Sequence, residues 1–196
     1  MRVDDLDSLV AIHNAAFPGF FLTFLGADFL KLLYASIHSD AEGHVFVAES
    51  DNHLVGFVAG VRNQGRFFRR LIRRRAIAFA VASLPAVIRK PGVVGRLFRA
   101  LGRPAAATQS ASAACLMSLA VQPQSAARGI GSQLIEAFCE RLRKDGIAAV
   151  ALTTDRDGNP NTNAFYQKRG FALTRQFTTR EGRAMNEYVR TLRADG

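Results

Sequence analysis

The sequence has few of the features that mark secreted, metal-binding or membrane-spanning proteins. Its 196 residues include only two cysteines, Cys115 and Cys139, too few to cross-link a chain of this length or to form a zinc site. The N-terminus does not resemble a signal peptide, and the longest nearly apolar run, residues 76–88, is short for a membrane span and contains Pro85. We therefore expect one cytoplasmic domain, residues 1–196, without a bound metal.

Acidic residues are missing from a long central part of the chain. None occurs in the 84 residues between Asp51 and Glu136, although the whole sequence contains 16. Within that part, residues 62–103 hold 12 of the 26 basic residues, and the rest of the chain, with 14 basic and 16 acidic residues, is nearly neutral. Such a basic segment attracts anions, which include nucleic acids, acidic membrane surfaces and phosphorylated small molecules.

Hydrophobic periodicity predicts a mixed α/β fold. The first half is predicted to contain helices over residues 4–17 and 28–37, the second capped by Asp28, then strands over 44–49 and 54–61 joined by a tight turn at Asp51 and Asn52. Residues 67–101 carry apolar and basic faces at helical spacing, which predicts two or three amphipathic helices before a linker. The remaining predicted elements are a strand at 115–121, a helix at 130–145, a strand at 147–154, a short helix at 162–169, and a hairpin of strands at 171–178 and 184–192.

The most informative stretch is residues 121–132, where a strand ends, Pro123 turns the chain and a glycine-bearing loop opens an amphipathic helix. Amides in the first turn of a helix lack partners within it, and glycine permits close approach, so this loop could hold phosphate oxygens. Gly129 and Gly131 could equally serve only to allow tight packing. The sequence has no Gly-Lys pair, which excludes a Walker loop, and Leu134 stands where a dinucleotide fingerprint needs a third glycine.

A second motif follows one predicted strand later, at Asn159 and at Phe165-Tyr166-x-Lys168-x-Gly170-Phe171. Together with Val121-x-Pro123 and Arg128-Gly129-Ile130-Gly131 in the loop, it resembles the GNAT superfamily of N-acetyltransferases. The resemblance is strong over residues 115–192 and moderate over 4–61. It implies an α/β fold with a mixed central sheet flanked by helices. The basic helical insert, about 62–112, would lie between the third and fourth strands of the family's sheet.

Three departures from the family pattern affect this interpretation. Ala126 stands where the family usually has Gln or Arg, so one phosphate contact is missing and Arg128 is the candidate to replace it. The family's first strand is almost absent, so the sheet is one strand short or the natural start lies upstream. The strand at 115–121 contains no carboxylate, although many members place their general base there.

The resemblance implies acetyl-CoA as the acyl donor and Tyr166 as the general acid that protonates the leaving thiolate. The residues that it places around acetyl-CoA are Leu119, Ala120, Val121, Ala126, Ala127, Arg128, Gly129, Ile130, Gly131, Ser132, Asn159, Phe165, Tyr166 and Lys168. Amides of the strand at Leu119 to Val121 would pair with the pantetheine arm and polarise the acyl carbonyl.

An alkylamine, with a pKa near about 10, must lose a proton before it attacks the thioester. The candidate bases are Glu49, Asp51, Asp155 and Glu187. Each is more often a solvated surface carboxylate than a base, and Glu49 is only a first guess. The four histidines show no ligand spacing and are interpreted as surface or packing residues, and Ser118 as a residue that could hold a water.

The sequence therefore predicts an N-acetyltransferase for a small-molecule amine, for which a phosphorylated or nucleotide-linked amino sugar is one candidate. The insert could cover the acceptor site and attract an anionic acceptor, bind an acidic membrane surface, or simply pack on the body of the protein. The alternative is a non-catalytic CoA-binding protein whose insert docks on a membrane or polyanion. Nucleic acid is not expected as a partner, because no recognised binding motif accompanies the charge, and a homodimer formed through the last strands is an expectation from the family.

Overall fold

The computed structural model describes residues 1–92, 95, 113–125, 128–179 and 181–192. Its centre is a six-stranded mixed sheet. The strands are β1 (Gly43–Ser50), β2 (His53–Val61), β3 (Ala114–Val121), β4 (Ala149–Asp155), β5 (Ala172–Thr178) and β6 (Ala184–Thr191), in the spatial order β1-β2-β3-β4-β6-β5. Strands β3 and β4 pair in parallel and the other neighbours pair antiparallel. The predicted mixed α/β fold is confirmed.

Helices cover both faces of the sheet. They are α1 (Leu6–Ala16), α2 (Phe21–Leu25), α3 (Ala27–Ser39), α4 (Gln64–Arg89), α5 (Ile130–Lys144) and α6 (Pro160–Lys168). Alternate residues of a strand point to opposite faces, and this divides the core in two. Phe57 of β2 packs with the buried residues of α1, α3 and α4, whereas its neighbour Val58 packs with those of α5.

Local signals explain several element boundaries. Asp51 and Asn52 both have positive φ angles, 52° and 61°, the conformation that a two-residue hairpin turn requires, so the predicted turn is confirmed. The prediction that Asp28 caps the second long helix is wrong. Gly26, with a φ of +100°, occupies the N-cap position of α3, and Asp28 lies in the first turn. The sequence analysis also missed the short helix α2.

The described part of the basic insert is one helix, α4, which lies between β2 and β3. Among the described residues no strand precedes α1, so this position corresponds to the third and fourth strands of the family's sheet. The side chain of Asn63 accepts a hydrogen bond from the amide of Arg66 and caps the helix, which bends at Arg75, where φ is −135°. Of the further helices and the linker that were predicted after this helix, residues 93, 94 and 96–112 lie outside the described residues.

Helix α4 packs against α3 through its apolar face. Phe67, Leu71 and Phe79 are buried, and the ring centroid of Phe79 lies 5.0 Å from that of Phe29 on α3. At the other end of α3, Arg70 donates hydrogen bonds of 2.7 to 3.0 Å to the carboxylate of Asp40 and one of 2.8 Å to that of Glu42. This face of the insert is therefore part of the packed body.

No helix among the described residues combines the length and the hydropathy needed to cross a bilayer. The same residues contain no group of three or more side chains placed to bind a metal ion.

Candidate functional site

Strands β3 and β4 diverge and leave an opening in the middle of the sheet. Their pairing is confined to Ala114 with Val150 and Cys115 with Ala151. On its other side β3 stays paired with β2 as far as Val121, opposite Gly56. From residue 116 onward the β4-facing edge of β3 therefore lacks a strand partner among the described residues, and its peptide groups are free to pair with an extended ligand.

A β-bulge in β3 changes the direction of the side chains next to this opening. Ala59 pairs with Ser118 but the next residue, Gly60, pairs with Leu116, so that Met117 is an extra residue in β3. The side chain of Ser118 consequently lies on the α3 side of the sheet, where its Oγ atom is 3.0 Å from the hydroxyl of Tyr34.

The N-terminus of α5 lies at the end of the opening. Gly129 is its N-cap and has a φ of +76°, a conformation that side chains other than glycine rarely adopt. Gly131 packs closely against α6: a Cβ atom there would lie 3.3 Å from Cζ of Phe165, so the ring would have to move by a few tenths of an ångström to make room for it. The amides in the first turn of α5 have no partners within the helix and can hold an anion, so packing and phosphate binding both stay predictions for this loop. Ala126 and Ala127 lie outside the described residues.

Helix α6 carries Tyr166 into the core beside this loop. The side chain is buried, with 7% of its surface exposed, and its ring contacts those of Phe165 and Phe171. Its hydroxyl has no hydrogen-bond partner in the part of the chain that the structure describes. Burial raises the pKa of Tyr166 well above its usual value, so the phenol keeps its proton at neutral pH and can act as a donor. Lys168 is exposed on the same helix.

A polar network that the sequence analysis missed holds α6 in place. The Oδ1 atom of Asn163 accepts hydrogen bonds from Nδ2 of Asn186 (2.9 Å) and from the hydroxyl of Tyr188 (3.0 Å). Its Nδ2 atom donates to the carbonyl oxygens of Asp155 (3.0 Å) and Asn159 (2.7 Å). The network ties the start of α6 to β4 and β6, which fixes the helix that carries Tyr166.

Asn159, predicted to bind the cofactor, also contributes to this local structure. Its Nδ2 atom donates a 2.8 Å hydrogen bond to Oγ1 of Thr154 at the end of β4. Asn159 also precedes Pro160, the first residue of α6, where a proline is well tolerated. The side chain therefore joins β4 to α6 beside the opening.

Three of the predicted bases make ion pairs, and Glu49, the first guess, lies on a strand that is not adjacent to β3. Glu49 is exposed on the edge strand β1, which β2 separates from β3, and its carboxylate lies 3.4 Å from the guanidinium of Arg2. The structure does not bring Glu49 and Tyr166 together, and a catalytic role for Glu49 stays a prediction. Of the other candidates, Asp155 is paired with Arg183, and the buried Glu187 is paired with Arg175; both distances are within 2.8 Å.

Aromatic and charged side chains line the other side of the opening. The ring of Phe20, in the loop after α1, lies 5.4 Å from the guanidinium of Arg183, which also binds the carboxylate of Asp155 through both of its oxygens. The loop between β5 and β6 thus meets the loop between α1 and α2. These two loops form a wall, the loop wall, next to Asp155 at the end of β4.

A buried hydrogen-bonded chain lies behind this wall. The hydroxyl of Tyr34 is 2.7 Å from Nδ1 of His13 and 3.0 Å from Oγ of Ser118. Burial lowers the pKa of His13 to about 4, so its imidazole is neutral at pH 7. The sequence analysis had interpreted His13 as a surface or packing residue and Ser118 as a residue that could hold a water.

These features fit an acyl-CoA thioester. The first turn of α5 offers amides to a pyrophosphate, the free edge of β3 offers peptide groups to the extended pantetheine arm, and the hydroxyl of Tyr166 offers a proton to a sulfur atom. The first turn of α5 follows the free edge of β3 along the chain, and Phe165, next to Tyr166, packs against Gly131 in that turn.

Several solved structures have a similar fold. The ribosomal-protein-S18-alanine N-acetyltransferase from Escherichia coli is 16% identical, with a TM-score of 0.60, and the match covers 100% of this chain and 93% of that chain. Ard1 from Thermoplasma volcanium is 16% identical, with a TM-score of 0.64, and the match covers 98% of this chain and 95% of that chain. The PaiA N-acetyltransferase from Thermoplasma acidophilum, solved in complex with coenzyme A, is 16% identical, with a TM-score of 0.56, and the match covers 95% of this chain and 94% of that chain. At these identities the similarity establishes the fold alone.

Among proteins of curated function, no significant match to the sequence was found. The family model described as "Acetyltransferase (GNAT) family" matches residues 6–171, which is most of the chain. The chain therefore belongs to the GNAT acetyltransferases, the family of enzymes that transfer an acyl group from acyl-CoA to an amine.

Proposed function

We propose that this protein transfers the acetyl group of acetyl-CoA to the amine of a small molecule, by direct attack of the amine on the thioester. The observation that carries the proposal is Tyr166: its side chain is buried on α6, next to the first turn of α5, and its hydroxyl has no hydrogen-bond partner among the described residues. Bound acetyl-CoA would supply the activated acyl group there. Residues 128–132 would hold its pyrophosphate, and Leu119, Ala120 and Val121 would pair with its pantetheine arm.

Tyr166 is the proton donor in this proposal. A thiol leaves as a thiolate with a pKa of about 8.5, by analogy with cysteine, and a donor that stays protonated at pH 7 assists its departure. Because burial raises the pKa of Tyr166, the hydroxyl carries its proton throughout the neutral range. Its missing hydrogen bond would be completed by the sulfur atom.

The acceptor class that we propose is an anionic amine, such as a phosphorylated or nucleotide-linked amino sugar. The support is electrostatic, because α4 carries seven arginines and no acidic residue. Only Arg70 and, more distantly, Arg66 are paired with acidic side chains among the described residues. The remaining positive charge draws anions toward the protein, and arginine binds phosphate through two points.

Acetyl-CoA binding is the first test. Isothermal titration of the wild-type protein is expected to show saturable binding that is lost in Gly129→Glu, because the new carboxylate repels the pyrophosphate at the start of α5. Gly146→Glu is the matched control: Gly146 follows the other end of α5, also has a positive φ (+74°), and, like Gly129, offers open space to a Cβ atom, with nothing within 4 Å. Equal binding by both variants, or no binding by the wild type, would overturn the proposal.

A second candidate role concerns the outward face of α4. Beyond the bend, four aliphatic side chains spaced four, three and four residues apart project from the side opposite the buried Phe79 and Ala86. We call them the outer stripe, and their exposed fractions are 82% for Ile77, 64% for Val81, 54% for Leu84 and 73% for Ile88.

We propose that the outer stripe rests on an anionic membrane surface. Exposed arginines flank it at Arg73 and Arg89, and α4 contains no acidic residue. Anionic headgroups complement this charge, whereas a second copy of the helix would bring like charges together. Aliphatic side chains between cationic ends are the pattern of a helix that lies in the interface.

Sedimentation with vesicles tests this role. The wild type is expected to bind vesicles that contain phosphatidylserine, to bind pure phosphatidylcholine weakly, and to be released by salt. The double variant Leu84→Asp/Ile88→Asp is expected to stay in solution, and Val3→Asp, which changes another exposed aliphatic residue, is expected to bind normally. Equal sedimentation of the double variant and the wild type would remove this candidate.

A further inference from the structure

The chain His13–Tyr34–Ser118 joins the buried core to the opening, and the proposed function does not yet use it. His13 and Tyr34 are almost completely buried, whereas Ser118 is half-buried at the bulge in β3. Nε2 of His13 is a buried nitrogen without a hydrogen-bond partner among the described residues. Burying polar groups in an apolar core raises the free energy of the folded state. Three such groups in a row, from an unpaired ring nitrogen to the opening between β3 and β4, therefore indicate a functional role.

The hydrogen bonds of this chain have one direction. The hydroxyl of Tyr34 has a single proton, which it donates to Oγ of Ser118. In that arrangement the phenol oxygen accepts at the 2.7 Å contact with His13, which corresponds to the tautomer with its proton on Nδ1. Nε2 is then the unprotonated nitrogen. This agrees with the neutral state of the imidazole, because a proton on Nε2 would place a cation in the apolar core.

The hydroxyl proton of Ser118 has no acceptor among the three hydrogen-bonded side chains of His13, Tyr34 and Ser118. Ser118 accepts from Tyr34, so its own O–H can turn only to a further acceptor. Ser118 immediately precedes Leu119, at the start of the free β3 edge, and its side chain lies on the side of the sheet that α1 and α3 cover. Each donor in such a chain polarises the next, which strengthens the last one.

We propose that the hydroxyl of Ser118 donates a hydrogen bond to the acyl oxygen of bound acetyl-CoA, and that Tyr34 and His13 position it. This inference rests on the proposed function, because it requires a thioester in the opening. As the amine's electron pair forms the new C–N bond, the π pair of the carbonyl moves onto the acyl oxygen, where Ser118 stabilises the negative charge. When the C–S bond breaks, its electron pair leaves on the sulfur, which takes a proton from Tyr166, and the pair on the acyl oxygen returns to form the amide carbonyl. The nitrogen of the former amine loses its proton to water. No proton moves along the chain, and Ser118 keeps its own.

Binding of labelled donor, without any amine, tests the contact. A hydrogen bond to a carbonyl oxygen moves its ¹³C resonance downfield, so [1-¹³C]acetyl-CoA bound to the wild type is expected to show such a displacement. Ser118→Ala is expected to lose it, and Ser118→Thr, which keeps the hydroxyl, to retain it. Tyr34→Phe keeps the ring that packs on Phe57 and is expected to reduce the displacement, because Ser118 loses its donor.

Ser36→Ala is the matched control. It removes another buried serine hydroxyl, which donates to the carbonyl oxygen of Leu32 within α3, and the wild-type resonance is expected. Calorimetry is expected to give similar acetyl-CoA affinities for all these variants. Once an amine substrate is in hand, kcat of Ser118→Ala is expected to fall about 100-fold with little change in KM for acetyl-CoA.

The outcomes separate this inference from the proposed function. If the wild type binds acetyl-CoA and Ser118→Ala gives the same resonance, Ser118 does not contact the acyl oxygen and the inference is wrong while the proposed function stands. If Ser118→Ala does not fold, an unchanged resonance in Tyr34→Phe would count against the inference in the same way. If the wild type does not bind acetyl-CoA at all, both are wrong.

Discussion

Phe165 packs on Gly131 so closely that a Cβ atom at position 131 would lie 3.3 Å from Cζ of the ring. The contact joins the N-terminal turn of α5 to α6, and so joins the proposed pyrophosphate loop to the helix that carries Tyr166. One contact therefore couples the two motifs that identified the family.

Gly131→Ala is expected to weaken acetyl-CoA binding by displacing the first turn of α5, with a loss of unfolding free energy of about 1 kcal/mol from overpacking. Phe165→Leu is expected to relieve the contact, so that the double variant is more stable than the sum of the single effects predicts. Calorimetry and urea unfolding of the four proteins measure both quantities. Strict additivity would show that the two side chains do not interact.

Tyr166→Phe is expected to lower kcat about 100-fold and to leave acetyl-CoA affinity and protein stability almost unchanged. The hydroxyl has no hydrogen-bond partner among the described residues, so its removal leaves no buried group unpaired. Steady-state kinetics and thermal unfolding test this. Tyr188→Phe gives the contrasting case: it breaks the bond to Asn163 and is expected to destabilise the fold by about 1 kcal/mol. A fully active Tyr166→Phe enzyme would exclude Tyr166 as the general acid.

Asn163→Ala is expected to reduce the free energy of unfolding by about 2 kcal/mol, because it leaves the hydroxyl of Tyr188 without its acceptor and leaves Nδ2 of Asn186 only its 3.4 Å contact with that hydroxyl. Gln167→Ala removes an exposed amide from the same helix and serves as the control. Urea unfolding compares the two variants. Equal stabilities would mean that the network does not hold α6 in place.

The stability of the protein is expected to fall between about pH 6.5 and pH 4 because of His13. Its pKa is lowered by burial to about 4 in the folded protein, whereas the unfolded chain binds the proton near pH 6.5. The contribution of His13 is thus fully present above pH 6.5, is lost as the pH falls toward 4, and amounts to about 3 kcal/mol across this window.

Unfolding free energies measured from pH 8 to pH 4 check this linkage. His13→Phe is expected to reduce the slope of unfolding free energy against pH, by an amount that corresponds to at most one bound proton. At pH 8 it is expected to be less stable than the wild type, because Tyr34 loses its partner. His53→Gln, which removes an exposed imidazole, is the control. Parallel profiles for His13→Phe and the wild type would show that folding does not lower the pKa of His13.

Among the described residues, local sequence patterns were sufficient for the order of the strands and of the longer helices, for the hairpin turn and for the loop before α5. These depend on neighbours along the chain: positive φ at Asp51 and Asn52, and glycine at the start of a helix. The cap of α3 was mispredicted because Gly26, rather than a side-chain oxygen at Asp28, ends the preceding turn.

Contacts between distant segments could not be predicted in this way. Tyr34 and Ser118 are 84 positions apart, and no periodicity relates a helix residue to a bulge in a strand. The same is true of Asn163 and Asn186, which the sheet brings together from α6 and β6. The bulge in β3 matters most, because alternation along an ideal strand would assign Ser118 to the other face.

The two residue pairs that join β3 to β4 have a mechanical consequence. Beyond these pairs the strands on the β3 side and those on the β4 side are no longer hydrogen-bonded to each other. An acyl donor lying along β3 would fill the position of a strand between them. The ligand would then act as a seventh, removable strand. Hydrogen exchange of the amides of Leu119 and Val121 would slow when the donor binds. The sheet would therefore become more rigid as the concentration of the acyl donor increases.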